Sequence, residues 1–159
     1  MNTILKSGAL LGCLVVAWTF VMGFTGWYKD PVLLNMFWMV IVIQIVLLVW
    51  TLRKTAAEGR GYAAQVLAGT LVSLFGGVLV FAGSLLFTTV VFPNYFSEIT
   101  AIQQKMLFEQ GRSAEDIRAT MELAAKTNTP LASAVSGFIG TLATGLVASI
   151  VIAGFIRAK

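Results

Sequence analysis

Four long apolar runs, none with a charge inside it, constrain this chain more than any other feature. They cover residues 7–26, 32–52, 63–91 and 131–156. Each is long enough to cross a bilayer core, which takes about 20 mostly apolar residues. All eleven basic and seven acidic residues lie near the ends of these runs or between them. The chain is 58% hydrophobic and 11% charged, against about 25% charged in an ordinary soluble domain. A soluble protein of 159 residues has no way to hide so much apolar surface, so lipid must cover the rest. The expected fold is all-α: a four-helix integral membrane bundle, one domain over residues 1–159.

The intervening segments read as turns and interface anchors. Gly26-Trp27-Tyr28-Lys29-Asp30-Pro31 closes the first run. Its Trp and Tyr suit the headgroup region, and Asp30-Pro31 reads as a turn followed by a helix start. The second run ends at Arg53-Lys54, and a small polar loop is expected over Thr55–Gly61. Phe92-Pro93-Asn94-Tyr95-Phe96 stops the third. The one sizeable polar segment, residues 97–129, carries two helical patterns. Ile99, Ile102 and Met106 form the first, and Gln110-Gly111 breaks it. Ser113-Ala114-Glu115-Asp116 reads as a cap with acids in the first turn of the second, whose stripe is Ile117, Met121 and Ala124. Two short amphipathic helices between the third and fourth spans are expected, lying on the membrane or capping the bundle.

Four spans put both ends of the chain on one side. That side carries Lys6, Arg53, Lys54, Arg60, Arg157 and Lys159, with Glu58 its only acid. The other side carries Lys29, Lys105, Arg112, Arg118 and Lys126 with six acids. The bias puts both termini in the cytoplasm and the two-helix segment outside. The same asymmetry accounts for the net charge of +4. There is no basic stripe, so nucleic acid is not an expected partner.

Catalytic and metal chemistry are poorly served. The chain has no histidine and one cysteine, Cys13. Leu10-Leu11-Gly12-Cys13 has the look of a lipoprotein cleavage box. However, the stretch from Lys6 is too short for a signal's apolar core, and the apolar run continues past Cys13. Cys13 is therefore read as a small buried or lipid-facing residue. Gly59-Arg60-Gly61 lacks the ending of a phosphate loop. The acids read as helix-start residues or as solvated pairs, Glu109 with Arg112 and Glu122 with Lys126. No enzyme activity, cofactor or metal is expected, and no catalytic residue is assigned.

The strongest pattern is a ladder of small residues. Ser133, Gly137, Thr141, Gly145, Ser149 and Ala153 recur every fourth position of the last span, with Gly140, Thr144 and Ala148 beside them. Gly69, Ser73, Gly76, Gly77, Gly83 and Ser84 give the third span a looser version, and Gly8 and Gly12 mark the first. Such spacing lets helices approach closely and hydroxyls bond across the contact. Packing within one bundle is the favoured use, with a partner interface as the alternative. Asn35, Gln44 and Gln65 are the only amides inside the runs. Asn35 and Gln44 lie on opposite helix faces, so each is expected to bond a neighbouring helix. No ionisable group of the kind a coupled transporter needs lies in a span.

Phe92-Pro93-Asn94-Tyr95, Gln103-Gln104-Lys105-Met106, Glu109-Gln110-Gly111-Arg112-Ser113, Asp116-Ile117, Met121-Glu122 and Pro130 together resemble domain-of-unknown-function family 4199. Leu5-Lys6-Ser7-Gly8-Ala9-Leu10-Leu11-Gly12 resembles that family's opening, while Glu58-Gly59-Arg60-Gly61-Tyr62-Ala63 matches only loosely. The resemblance implies four spans, a polar helical stretch before the last one, and a bacterial inner-membrane setting. It implies no activity. The leading functional expectation is a non-catalytic membrane protein acting as an accessory subunit of a larger complex. The alternative is a small oligomeric permeation or lipid-interacting protein, with Asn35, Gln44 or Thr88 facing a shared pore. The expected partners are the lipid bilayer and a membrane protein or further copies of this chain.

Overall fold

The computed structural model describes residues 2–156. Met1 and residues 157–159 lie outside the described residues, Arg157 and Lys159 of the orientation count among them. Helix α1 spans Asn2–Thr25 and leads through a 3-10 turn, Trp27–Lys29, to a 3-10 segment, Leu33–Trp38. Helix α2 is Met39–Ala57, and α3 is Tyr62–Leu86, prolonged by a π turn at Phe87–Val91. Then come α4 (Tyr95–Glu109), α5 (Ala114–Thr127) and α6 (Pro130–Phe155), with no strand among the described residues. Asn2–Thr25, Leu33–Ala57, Tyr62–Val91 and Pro130–Phe155 are long and apolar enough to cross a membrane. The protein is an all-α, multi-pass membrane protein.

The element ends follow from local chemistry. Asp30 Oδ1 accepts from the amides of Val32 (2.7 Å) and Leu33 (3.2 Å), capping the 3-10 segment that Pro31 precedes. Helix α2 outruns the expected boundary at Leu52 by continuing through Arg53-Lys54 to Ala57, so the expected loop Thr55–Gly61 shrinks to Glu58–Gly61. Nothing in Arg53-Lys54-Thr55 breaks a helix, and Lys54 reaches back over the Trp50 ring, 4.0 Å from its centroid. Gly59, at φ 78°, ends it: the amides of Gly59 and Arg60 return to the Ala56 and Thr55 carbonyls. Ser113 caps α5 by accepting from the Asp116 amide at 3.1 Å, and Thr129 caps α6 by accepting from Ala132 at 3.2 Å, with Pro130 in its first turn.

Helix α3 is the shared wall of the bundle. On one side α1 runs parallel to it. A Cβ added at Gly8 would lie 2.9 Å from the Val72 carbonyl oxygen, and one at Gly12 2.9 Å from that of Gly76. Gly76 in turn receives Leu11: a Cβ there would meet Leu11 Cδ2 at 2.8 Å. On the other side α6 runs antiparallel. Gly69 faces Ser149, Ser73 faces Gly145, and Gly77 lies under the Phe138 ring, so a glycine on one helix takes a larger residue from the other. Helix α2 closes the bundle with Leu48 and Leu52, both fully buried beside Leu11 and Val72. Its buried Gln44 donates through Nε2 to the Thr141 carbonyl at 2.6 Å and to Ser73 Oγ at 3.3 Å, tying α2 to both α6 and α3.

The small-residue ladder is turned into this bundle. Gly145, Ser149 and Ala153 are buried, and Ser133, Gly137 and Thr141 are half-buried. The second row looks outward more: Gly140 has nothing near it, while Thr144 and Ala148 border a shallow apolar groove against Ile45 of α2. Cys13 is exposed on α1.

This packing predicts a sharp contrast between glycines. Gly145→Val drives a branched side chain into Ser73 and should cost about 1–3 kcal/mol, the usual penalty of overpacking. Gly140→Ala, in open space, should leave stability unchanged or raise it by up to about 1 kcal/mol. Reversible unfolding from mild detergent into increasing dodecyl sulfate, followed by circular dichroism, measures both.

Candidate functional site

The candidate site lies at the end of the bundle where α4 begins. It is built on an aromatic cluster. The π turn carries one extra residue, marked by the Phe92 amide donating to the Phe87 carbonyl at 2.8 Å. Phe87, only 3% exposed, packs against Phe20 (ring centroids 5.5 Å apart), Phe92 (4.7 Å) and Tyr95 (5.3 Å). Gly23 makes this possible: a Cβ there would meet the Phe92 ring at 2.6 Å. Tyr28 completes the cluster, its ring 5.0 Å from that of Tyr95.

Tyr28 also forms a polar latch. Its hydroxyl donates to Glu98 Oε2 at 2.5 Å, and Lys29 Nζ meets the same oxygen at 2.9 Å. The loop after α1 thereby grips the first turn of α4. The hydrogen bond from Tyr28, and then that from Lys29, hold the Glu98 carboxyl below its ordinary range. The hydrogen bond to Glu98, then that to Tyr28, push Lys29 up. Burial first, then Glu98, raises Tyr28, and burial raises Tyr95.

Two chambers adjoin the cluster. An outer one of about 330 Å³ is walled by Thr19, Met22 and Gly23 of α1, by Leu34, Asn35, Phe37 and Trp38 of the 3-10 segment, and by Tyr28, Phe87 and Tyr95. An inner one of about 110 Å³ is lined by Val15 and Val16 of α1, by Val80, Gly83, Ser84 and Thr88 of α3 and its π turn, and by Ser133 and Gly137 of α6. Both are bounded by Thr19, Phe37, Phe87 and Tyr95. The 3-10 wall is the outward one, since Leu34, Phe37 and Trp38 are 40%, 49% and 66% exposed.

Of the helix-packing residues singled out in the sequence, Gly145, Ser149, Gly69, Ser73 and Gly76 sit in the α1–α3–α6 contacts and Ala153 is buried, and none of the six lines either chamber. Ser133 and Gly137 line the inner chamber, and Thr141 lends its carbonyl to Gln44. Gln44 and Thr88 are each 4% exposed, Gln44 sealed between helices and Thr88 donating to the Ser84 carbonyl at 2.8 Å. Asn35 bonds no neighbouring helix among the described residues and instead borders the outer chamber. The acids pair differently from the sequence reading: Lys105 with Glu109 at 3.8 Å and Arg118 with Glu122 at 3.1 Å, both four residues apart on one helix. Glu109 with Arg112 fails because the turn at Gly111 intervenes, and Arg118 competes with Lys126 for Glu122 from the opposite side. The latch was invisible in the sequence because it joins residues 70 positions apart, and Tyr95 read there only as part of the aromatic stop after the third run. Among the described residues no group of acids, cysteine or histidine has metal-binding geometry.

The family model described as "protein of unknown function (DUF4199)" matches residues 6–158, nearly the whole chain. The chain belongs to that family, as its loop motifs suggested. No curated protein and no solved structure matches it.

The latch makes the mooring of α4 pH-dependent. Glu98 stabilises it fully above its ordinary value of 4.5, and that contribution is lost as pH falls through the lower folded value. Lys29 contributes fully below 10.5 and loses its part as pH rises through its higher folded value. Between these limits the latch is complete. Spin labels on Cys13 and on an Arg112→Cys variant should give a narrow distance distribution at pH 7 that broadens below pH 4.5. In Glu98→Gln the distribution should be broad at both.

Proposed function

We propose that the protein is a non-catalytic accessory subunit of a larger membrane complex, reached through the α4–α5 hairpin. The observation that carries this reading is that the hairpin is an ordered appendage: neither helix has a buried residue. Helix α5 packs on α4, and α4 is moored to the Trp27–Lys29 turn. Phe108 near the hairpin tip is 75% exposed and Leu123 on α5 is 64% exposed. A latch spent on positioning two helices that the bundle core does not use is well suited to presenting them to another protein. The absence of histidine and of ionisable groups in the spans argues against catalysis or coupled transport. The proposed setting is a bacterial inner membrane with both termini cytoplasmic and the hairpin outside, on the charge balance of the loops.

A second reading, a lipid-interacting protein, is favoured by the chambers beside Tyr95. Oligomeric permeation has less support, because Gln44 and Thr88 face the interior of one chain and only Asn35 of the three candidate pore residues is exposed.

Purification from native membranes in mild detergent, followed by native mass measurement, tests the accessory role. The expected result is a heteromeric complex that is lost in a Phe108→Ser, Leu123→Ser variant while the bundle keeps its helical content. A lone monomer or homo-oligomer would remove the accessory reading.

A further inference from the structure

We infer that the two chambers beside Tyr95 form a binding site for an uncharged amphiphile, a small head bearing carbonyl oxygens joined to an apolar chain. This inference rests on the lipid-interacting reading and is independent of any protein partner.

The volumes set the size. A pocket of about 150 Å³ holds benzene, so the outer chamber at about 330 Å³ takes a ring-sized or glycerol-sized head. The inner chamber, at about 110 Å³ and floored by valines, takes part of a chain. The walls set the charge. Among the described residues, no Lys, Arg, Asp or Glu lines either chamber. Among the described residues the titratable side chains there are Tyr28 and Tyr95, neutral by nature near pH 7 and pushed further that way by burial. An ion would be left uncompensated in apolar surroundings, so a neutral head is selected.

The hydrogen-bond inventory sets the head's chemistry. The Thr19 and Thr88 hydroxyls donate to their own helix, to the Val15 and Ser84 carbonyls. Tyr28 is committed to Glu98. The side chains of Asn35, Ser84 and Ser133 and the Tyr95 hydroxyl have no partner among the described residues; of these four only Tyr95 borders both chambers, on a ring fixed by Tyr28, Phe87 and Phe96. A donor held on the border of a largely apolar pocket calls for an acceptor oxygen, and the Asn35 amide on the same wall can donate to it as well. The flat rings of Phe37 and Phe87 bound the same space. Quinones and acylglycerols share the required chemistry, a carbonyl head on a hydrocarbon chain.

The test uses the full chain in nanodiscs of saturated phosphatidylcholine. Three probes with the same medium-length alkyl chain are titrated: a benzoquinone, a monoacylglycerol and the plain alkane. Bound ligand is counted by native mass spectrometry and by isothermal titration. Tyr95→Phe keeps the ring stack and removes the donor. Gly137→Leu fills the inner chamber without a backbone clash, since a Cβ there meets only Val80, at 3.5 Å. Saturable one-to-one binding of a carbonyl probe is expected. It should weaken about fivefold in Tyr95→Phe, the worth of one hydrogen bond, and be lost in Gly137→Leu at unchanged helical content. The alkane should show neither saturation nor sensitivity to Tyr95→Phe. Preference between the two carbonyl probes identifies the source. Saturable binding indifferent to both variants would overturn this site while leaving the lipid-interacting reading standing. Only non-saturable partitioning of all three probes would overturn both.

Discussion

The close approach of α3 to its neighbours is the interaction on which the rest of the structure depends. In a membrane, apolar side chains gain nothing by leaving lipid for another apolar surface, so helices adhere through tight packing and hydrogen bonds. Helix α3 supplies both on two faces. Gly76 admits Leu11 of α1, and Gly69 with Ser73 meshes with Ser149 and Gly145 of α6. Gln44 then closes the arrangement, because its amide bonds to an α6 carbonyl and to Ser73 of α3 beside the core contacts of Leu47 and Leu48. The small-residue ladder of α6 is thus largely spent on the fold. The surfaces it leaves free are the outer row of Gly140, Thr144 and Ala148 and the polar hairpin.

That division between bundle and appendage explains why the loop end of the molecule looks so different from its middle. The middle is held by backbone proximity, which leaves little space. At the loop end, bulky rings replace glycines and cannot mesh as closely. Phe87, Phe92 and Tyr95 fill most of the gap between α1 and α3, and Gly23 is the concession that lets two of those rings in. The second span starts as a 3-10 segment rather than a full α-helix, held to α1 by the Trp18 indole donating to the Met36 carbonyl at 3.0 Å. The space left between this thin wall and the rings becomes the outer chamber.

Much of the fold was legible in the sequence because membrane constraints are strong and local. Uncharged runs, aromatic ends, the Ser113 cap and the glycine turn at Gly111 each state their structure within a few residues. The periodic small residues announced close packing as well. What the sequence withheld was non-local. Nothing near Glu98 marks Tyr28 and Lys29 as its partners, and helix spacing suggested ion pairs, Glu109–Arg112 and Glu122–Lys126, that the turn and the competing Arg118 redirect. The π turn was hidden for a different reason. Phe87-Thr88-Thr89-Val90-Val91 is an ordinary apolar stretch, and its extra residue is stabilised by where the Phe87 ring can be buried.

The latch and the chambers are joined by Tyr95, which ties the two functional readings to one piece of structure. Tyr95 opens α4, stacks on Tyr28 of the latch, and borders both chambers. The first turn of α4 also holds Glu98, so a shift of α4 that loosens the latch moves Tyr95 with it. A ligand that takes a hydrogen bond from Tyr95 would favour the moored position of α4, and with it the placement of α5. By linkage, a partner that grips the hairpin in that position would tighten the ligand site by the same factor. Occupancy within the membrane and contact outside it would then be two readouts of one equilibrium, with Tyr95 as the shared element.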